Sequence, residues 1–140
     1  MTEQRLIEEA VEARKQAYTP YSHFAVGAAL LTKKGEVYTG CNIENASYSA
    51  TNCAERTAFF KAVSQGKREF AKIAIIGGKK GEAAQFCPPC GICRQVMQEF
   101  CSSDFEVILA KDGQDYVCYT LEELLPHSFG DSNLKGEESK

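Results

Sequence analysis

Ala25-Val26-Gly27-Ala28-Ala29-Leu30-Leu31-Thr32, then Lys33-Lys34-Gly35-Glu36, then Val37-Tyr38-Thr39-Gly40-Cys41 is the stretch whose reading decides the fold. The first segment is a short apolar run of strand length, the second a charged turn around Gly35, the third a returning strand; together they predict a β-hairpin. Upstream, residues 3–18 carry Leu6, Ile7, Ala10, Val11 and Ala17 at helical spacing between Glu, Arg and Lys, which predicts an amphipathic helix broken at Tyr18-Thr19-Pro20-Tyr21-Ser22. Downstream, 42–52 is polar and without period, a loop. Residues 54–65 read as a helix with Ala58, Phe59, Ala62 and Val63 on one side and Gly66 at its end. Residues 72–76 form a β-rich run, 77–89 a Gly- and Pro-containing loop, and 92–100 a helix. Strands at 105–110 and 116–119 flank the Asp112-Gly113 turn. Thr120-Leu121-Glu122-Glu123 is a capping box opening a short helix that Pro126 closes. Helix, two strands, helix, strand, helix, two strands, helix is the order of an α/β fold, a mixed sheet of roughly five strands with helices packed on it.

The 140 residues predict one domain, residues 1–130, followed by a polar, flexible tail over 131–140. An apolar fraction of 44% and a charged fraction of 25% exclude a disordered, collagen-like or coiled-coil chain. No apolar run approaches the ~18 residues of a membrane span, and Met1–Ala10 lacks the apolar core of a signal peptide, so a cytoplasmic location is expected. The formal net charge of -3 argues against a nucleic-acid surface. Seven cysteines, an odd number without an export signal, predict reduced thiols and not a disulfide framework.

Chemistry concentrates in two places. Pro89-Cys90-Gly91-Ile92-Cys93 and Cys53-Ala54-Glu55 both stand at predicted helix starts. Thiols at i and i+3 share one helical face, and a helix N-terminus favours the thiolate. Two such termini brought together supply three sulfurs, which leaves open the fourth position of a four-coordinate zinc ion; that is a catalytic and not a structural arrangement. Other readings stand beside it. Cys90 and Cys93 could be a redox pair, which would leave Cys53 and Glu55 without a part. Glu55 could be a capping residue closing back on Asn52. Cys87 could be a fourth ligand in a closed structural site. Taken alone, Phe24 reads as core and Asn42 as a turn residue.

With these residues in place, the chain resembles the small, homotetrameric cytidine deaminases, from about residue 3 to about residue 130. The resemblance lies in Pro20-Tyr21-Ser22-His23-Phe24-Ala25-Val26-Gly27-Ala28-Ala29, Gly40-Cys41-Asn42-Ile43-Glu44-Asn45-Ala46, Asn52-Cys53-Ala54-Glu55-Arg56-Thr57-Ala58, Pro89-Cys90-Gly91-Ile92-Cys93-Arg94-Gln95 and Leu124-Leu125-Pro126. A Cys, one residue, a Glu and a later Pro-Cys-x-x-Cys is also the general pattern of zinc nucleobase deaminases. The resemblance implies a three-layer α/β/α fold and hydrolysis of cytidine and deoxycytidine to uridine or deoxyuridine and ammonia in pyrimidine salvage. It implies one zinc per chain on Cys53, Cys90 and Cys93, with Glu55 as proton shuttle. Phe24 would pack on the pyrimidine, Asn42 and Glu44 would bind the ribose hydroxyls, and backbone N–H groups of Ala54 and Cys90 would hold oxygens at the reacting centre. Tyr48 and Phe129 would be lent to the site by neighbouring subunits of a homotetramer. Arg56 would hydrogen-bond the sulfurs and offset their charge, a part Arg94 could share.

Three positions depart from the family pattern: Pro88 where Ser is common, Ile92 where Ala is usual, and the additional Cys87. Blasticidin-S deaminases share Cys-Ala-Glu and Pro-Cys-Gly-x-Cys, but Asn42-Ile43-Glu44-Asn45 favours a ribose site. A polynucleotide deaminase would need a phosphate-tracking groove, for which this chain has no large basic cluster. A zinc-stabilised binding module would enlist Cys87 and leave Glu55 without a role.

Overall fold

A computed structural model describes residues 1–136. Helix α1 (Glu3–Arg14) starts at Thr2, whose hydroxyl accepts from Arg5 N at 3.2 Å, and carries Glu3 in its first turn and Arg14 in its last, both matched to the helix dipole. Strands β1 (Phe24–Thr32) and β2 (Val37–Cys41) form the expected antiparallel hairpin. Helix α2 (Ala54–Ser64) leads to β3 (Phe70–Lys79), and α3 (Gly91–Phe100) to β4 (Glu106–Ala110) and β5 (Tyr116–Thr120). The chain then makes α4 (Leu121–Leu124) and α5 (Asp131–Lys135). The sheet order is β2-β1-β3-β4-β5, antiparallel except for the β3–β4 pair, which needs the crossover that α3 supplies.

Strand periodicity sorts the side chains into three layers. Ala28, Leu30, Ile73, Ile75, Val107 and Leu109 pack with Ala58, Phe59, Ala62 and Met97 of α2 and α3. Ala29, Leu31, Ala74, Ile76, Ile108 and Ala110 pack with Leu6, Ile7 and Ala10 of α1 on the opposite face. This is the expected α/β/α arrangement. Phe59 is fully buried, edge-on to Phe70 with ring centroids 5.1 Å apart and stacked on Phe100 at 6.4 Å. Two glycines set the helix–sheet distance. A Cβ at Gly27 would lie 2.1 Å from the Ala10 carbonyl, and one at Gly40 would lie 2.4 Å from the Ala54 carbonyl.

Three boundaries differ from the sequence reading. Helix α1 ends at Arg14, short of residue 18, because the backbone of Tyr18 is used elsewhere. Its N–H donates to Asn42 O at 3.0 Å, and its carbonyl accepts from Glu44 N at 2.9 Å. Strand β3 runs through Gly77 and Gly78, which the sequence places in a loop. The predicted flexible tail contains α5, capped by the Asn133 side chain accepting from Gly130 N at 2.9 Å; the tail's residues 137–140 lie outside the described residues. No described helix is long and apolar enough to cross a membrane.

Candidate active site and metal centre

Cys53 is the N-cap of α2 and Cys90 the N-cap of α3, both extended, and Cys93 lies in the first turn of α3. Because α2 and α3 lie on one face of the sheet, the two helix N-termini bring the three thiols together. Their sulfurs all lie within 4.8 Å of one another. Cys53 Sγ is 3.8 Å from Cys90 Sγ, which is 3.5 Å from Cys93 Sγ. A tetrahedral zinc with Zn–S bonds of ~2.3 Å requires its sulfurs about 3.8 Å apart, so the donor set fits zinc in both element and spacing. Cys87 is not among the grouped atoms. It packs instead against β3, where a Cβ at Gly77 would meet its Sγ at 3.1 Å, and burial pushes its thiol up to about 11. Among the described residues, a closed four-sulfur site is therefore not formed.

The charges around the thiols are arranged for metal-ligating sulfur. Cys53 is held down to about 5, chiefly by the thiol of Cys93 and also by Arg56 and Cys90. Cys93, the proton-holding partner and buried, is held well above the ordinary thiol range. Arg56 Nη2 donates to Cys53 Sγ at 3.3 Å. Burial works against its charge, but hydrogen bonds to Cys53 and Cys93 keep the guanidinium firmly protonated. Its Nε is buried without a hydrogen-bond partner among the described residues, a desolvation cost that only a strong anionic neighbour offsets.

Glu55, in the first turn of α2, is 4% exposed. Burial pushes its carboxyl up to about 7, helped by Cys53 and opposed by its own backbone N–H and by Arg56. It does not close a capping box: the cap residue is Cys53, and Asn52 Nδ2 donates to Thr57 Oγ1 at 3.1 Å. A buried carboxyl with a pKa near neutrality, beside a cluster of metal-binding sulfurs, is equipped to take up and release a proton.

A second group forms where β1 begins and β2 ends. Asn42 Nδ2 donates to the Phe24 carbonyl at 2.8 Å and its Oδ1 accepts from Val26 N at 2.9 Å. Asn42 thus fixes the entry of β1 and with it the half-buried Phe24, keeping one N–H and one lone pair for other partners. Glu44 accepts from the Tyr21 and Ser22 amides at 3.0 and 3.1 Å and from the Ser22 hydroxyl, which is the chief reason its carboxyl lies below the usual range. Tyr48, 78% exposed, packs edge-on to Tyr21 at 6.3 Å and lines one shallow pocket with Ser22 and Glu44. Phe129 is 58% exposed, its carbonyl held by Gln95 Nε2 at 2.7 Å. Ala54 is fully buried at the start of α2, among the N–H groups that have no partner within a helix.

Two features were not legible in the sequence. Ser22 orients Glu44, and nothing in its local context marks it. Arg94, read as a candidate partner for sulfur, bonds two carbonyls instead, Pro89 O at 2.8 Å and Leu124 O at 2.6 Å. Of the departures, Pro88 and Ile92 are exposed, so the bulk of Ile92 does not crowd the ligands.

Comparison with known proteins agrees with this geometry. A family model described as the cytidine and deoxycytidylate deaminase zinc-binding region matches residues 1–109. A cytidine deaminase of Sporosarcina psychrophila is 50% identical over 134 residues, 96% of each chain. One of Halalkalibacterium halodurans is 54% identical over 129 residues, 92% of this chain and 95% of that one. The crystal structure of a cytidine deaminase from Burkholderia pseudomallei superposes with a TM-score of 0.83 at 50% identity, covering 92% of this chain and 100% of that one.

Proposed function

The chain belongs to the cytidine and deoxycytidylate deaminase family, and from that premise we propose that it is a zinc-dependent hydrolase that deaminates cytidine and deoxycytidine in pyrimidine salvage. The observation that carries the reading is the convergence of Cys53, Cys90 and Cys93 at two helix N-termini beside the buried Glu55. A zinc ion held by these three sulfurs supplies a Lewis acid that lowers the pKa of a water towards ~7.

The rest of the work falls to the chain. Phe24 offers an aromatic face to the pyrimidine, and Asn42 secures that face by holding the backbone on both sides of it. Glu44, ionised and oriented by Tyr21 and Ser22, accepts from ribose hydroxyls. Glu55 removes a proton from the attacking water and delivers it to ring nitrogen 3. It then takes the second proton from the hydroxyl added at carbon 4 and passes it to the amino group, whose bond to carbon 4 breaks as the carbonyl forms and ammonia leaves. Burial raises the proton affinity of this carboxyl, which suits it to carry a proton between two groups. The N–H groups of Ala54 and Cys90, at helix N-termini, favour negative charge developing on oxygen. Arg56 holds Cys53 Sγ in place and offsets the excess charge of three thiolates.

The exposure of Tyr48 and Phe129 supports a homotetramer in which each ring completes a neighbour's site. Seven free thiols fit a reducing cytoplasm. The test is uridine formation from cytidine by wild type, by chelator-treated protein with and without added zinc, and by Glu55→Gln. Wild type should be active with about one zinc per chain, chelation should abolish activity reversibly, and Glu55→Gln should keep zinc while losing about 10²–10⁴ in kcat. Substantial turnover by Glu55→Gln would remove Glu55 from the reaction.

A further inference from the structure

We infer that Arg94 is a positioning residue that locks the peptide before Cys90 to the C-terminal segment of the chain, so that the placement of one metal ligand depends on residues 124–129. The inference rests on the reading of Cys53, Cys90 and Cys93 as zinc ligands.

The loop that delivers Cys90 has an uncommon weakness. Pro88 and Pro89 have no backbone N–H, so over two successive residues the loop can be held only through its carbonyls or by packing. Pro89 is fully buried, and its carbonyl accepts from Arg94 Nε at 2.8 Å. That carbonyl and the N–H of Cys90 belong to one rigid peptide plane. Fixing the oxygen therefore fixes the direction of the Cys90 N–H and limits the swing of its side chain. Arg94 itself is rooted in the first turn of α3, where its N–H donates to Cys90 O at 3.0 Å, so loop and helix start form one closed unit.

The other arm of the guanidinium reaches the far end of the chain. Arg94 Nη1 donates to the Leu124 carbonyl at 2.6 Å. Leu124 is the last residue of α4, and Pro126 beyond it offers no N–H to continue the helix. A helix-terminal carbonyl needs an outside donor, and Arg94 provides it. The neighbouring Gln95 adds a second tie from α3 through the Phe129 carbonyl at 2.7 Å. A planar guanidinium spans two separated acceptors; a lysine ammonium at the end of a flexible stem does not fix both. Both side-chain hydrogen bonds end on carbonyl oxygen, so compensation of sulfur charge is left to Arg56.

The experiment compares wild type, Arg94→Ala and Arg94→Lys as full-length, zinc-loaded protein. Three readouts are taken: zinc release to a chromogenic chelator, amide hydrogen exchange over residues 124–129, and kcat and KM for cytidine. Cobalt-loaded samples report thiolate geometry in the visible spectrum. For Arg94→Ala we expect zinc release about 10–100-fold faster, an altered cobalt spectrum, faster exchange over 124–129, and a fall in kcat larger than the change in KM. Arg94→Lys should lie between it and wild type. Wild-type zinc release in Arg94→Ala overturns the inference, whether or not exchange over 124–129 has changed, since the residue would then serve packing alone. If Arg94→Ala does not fold, Arg94→Lys decides, and wild-type release in it overturns the inference. A wild-type chain that takes up no cobalt overturns the metal reading, and the role of Arg94 with it; uptake by wild type with an unchanged Arg94→Ala overturns the role of Arg94 alone.

Discussion

Gly40→Ala tests whether the sheet sets the geometry of the metal centre. Gly40 lies on β2 opposite Ala28, on the face that carries α2. A Cβ there would lie 2.4 Å from the Ala54 carbonyl, 2.6 Å from Ala58 N and 3.0 Å from Thr57 Cβ. Two of these atoms are helix backbone, which cannot turn away as a side chain can. Restoring ordinary contact at about 3.4 Å moves α2 outward by about 1 Å. Overpacking of this kind costs about 1–3 kcal/mol, and the rigid neighbours place it at the upper end, a fall in Tm of roughly 6–12 °C. The chain still folds on a typical margin of ~5–15 kcal/mol. Cys53 and Glu55 travel with α2 while Cys90 and Cys93 stay with α3, so a displacement of ~1 Å should lower kcat by about 10²-fold. Gly27→Ala is the control: its Cβ would meet the Ala10 carbonyl at 2.1 Å on the opposite face. It should lose comparable stability while its folded fraction retains wild-type kcat. Thermal unfolding, zinc content and steady-state deamination measure these quantities. Equal kcat losses in the two variants, or a wild-type kcat in Gly40→Ala, would refute the reasoning.

The remaining predictions concern the charges and sulfurs. The Glu55 carboxyl, at about 7 in the metal-free fold against 4.5 in its absence, is raised; its contribution is fully present below pH 4.5 and is lost as pH rises through 7. Above that, the buried carboxylate costs about 3 kcal/mol, so metal-free Glu55→Gln should be more stable than metal-free wild type by about that amount at pH 8.5 and by less than about 1 kcal/mol at pH 5. Parallel denaturant midpoints across this range would contradict it. Arg56→Ala removes the donor 3.3 Å from Cys53 Sγ and should weaken zinc retention by about 10–100-fold; unchanged chelator competition would show the contact to be incidental. Cys87→Ala should keep one zinc per chain, and metal loss measured by elemental analysis would restore the four-sulfur site.

Most of the fold was legible because its elements obey simple periods. The hairpin of β1 and β2, the apolar side of α2 and the capping box of α4 all lie where the sequence places them. The misreadings share a cause: a local signal used for a tertiary purpose. Gly77 and Gly78 look like loop residues, yet they pair with Val26 and Ala25 within the sheet, and they are glycine because a Cβ at either would press on Cys87, Ala84 or Arg14. Ala17 continues the helical spacing of α1, but Tyr18 gives its backbone to Asn42 and Glu44. The cluster of Cys53, Cys90 and Cys93 was legible because cysteine spacing carries coordination chemistry directly. The support given by Ser22 and Arg94 was not, because hydrogen bonds between side chains and distant backbone leave no period.

The centre is also where the chain alone is least comfortable. Glu55 is buried with a carboxyl driven up by desolvation, Arg56 holds a buried Nε without a hydrogen-bond partner among the described residues, and the Cys53 and Cys93 thiols share protons at close range. The first two cost free energy in the metal-free fold. The burial of Arg56 is eased when three thiolates gather around a divalent cation, because the cluster remains net anionic and matches the guanidinium. Zinc should therefore stabilise this chain by more than ligation of exposed thiols would, since the gain includes relief of the buried guanidinium. Binding confined to the native state adds RT ln(1 + [L]/Kd), ~4 kcal/mol at a thousandfold excess over Kd. Relief of Arg56 gives the gain a signature: metal-induced stabilisation should be larger in wild type than in Arg56→Ala. Thermal unfolding of zinc-loaded and metal-free forms of both proteins measures that difference. Equal stabilisation of the two would mean that Arg56 does not sense the metal cluster electrostatically.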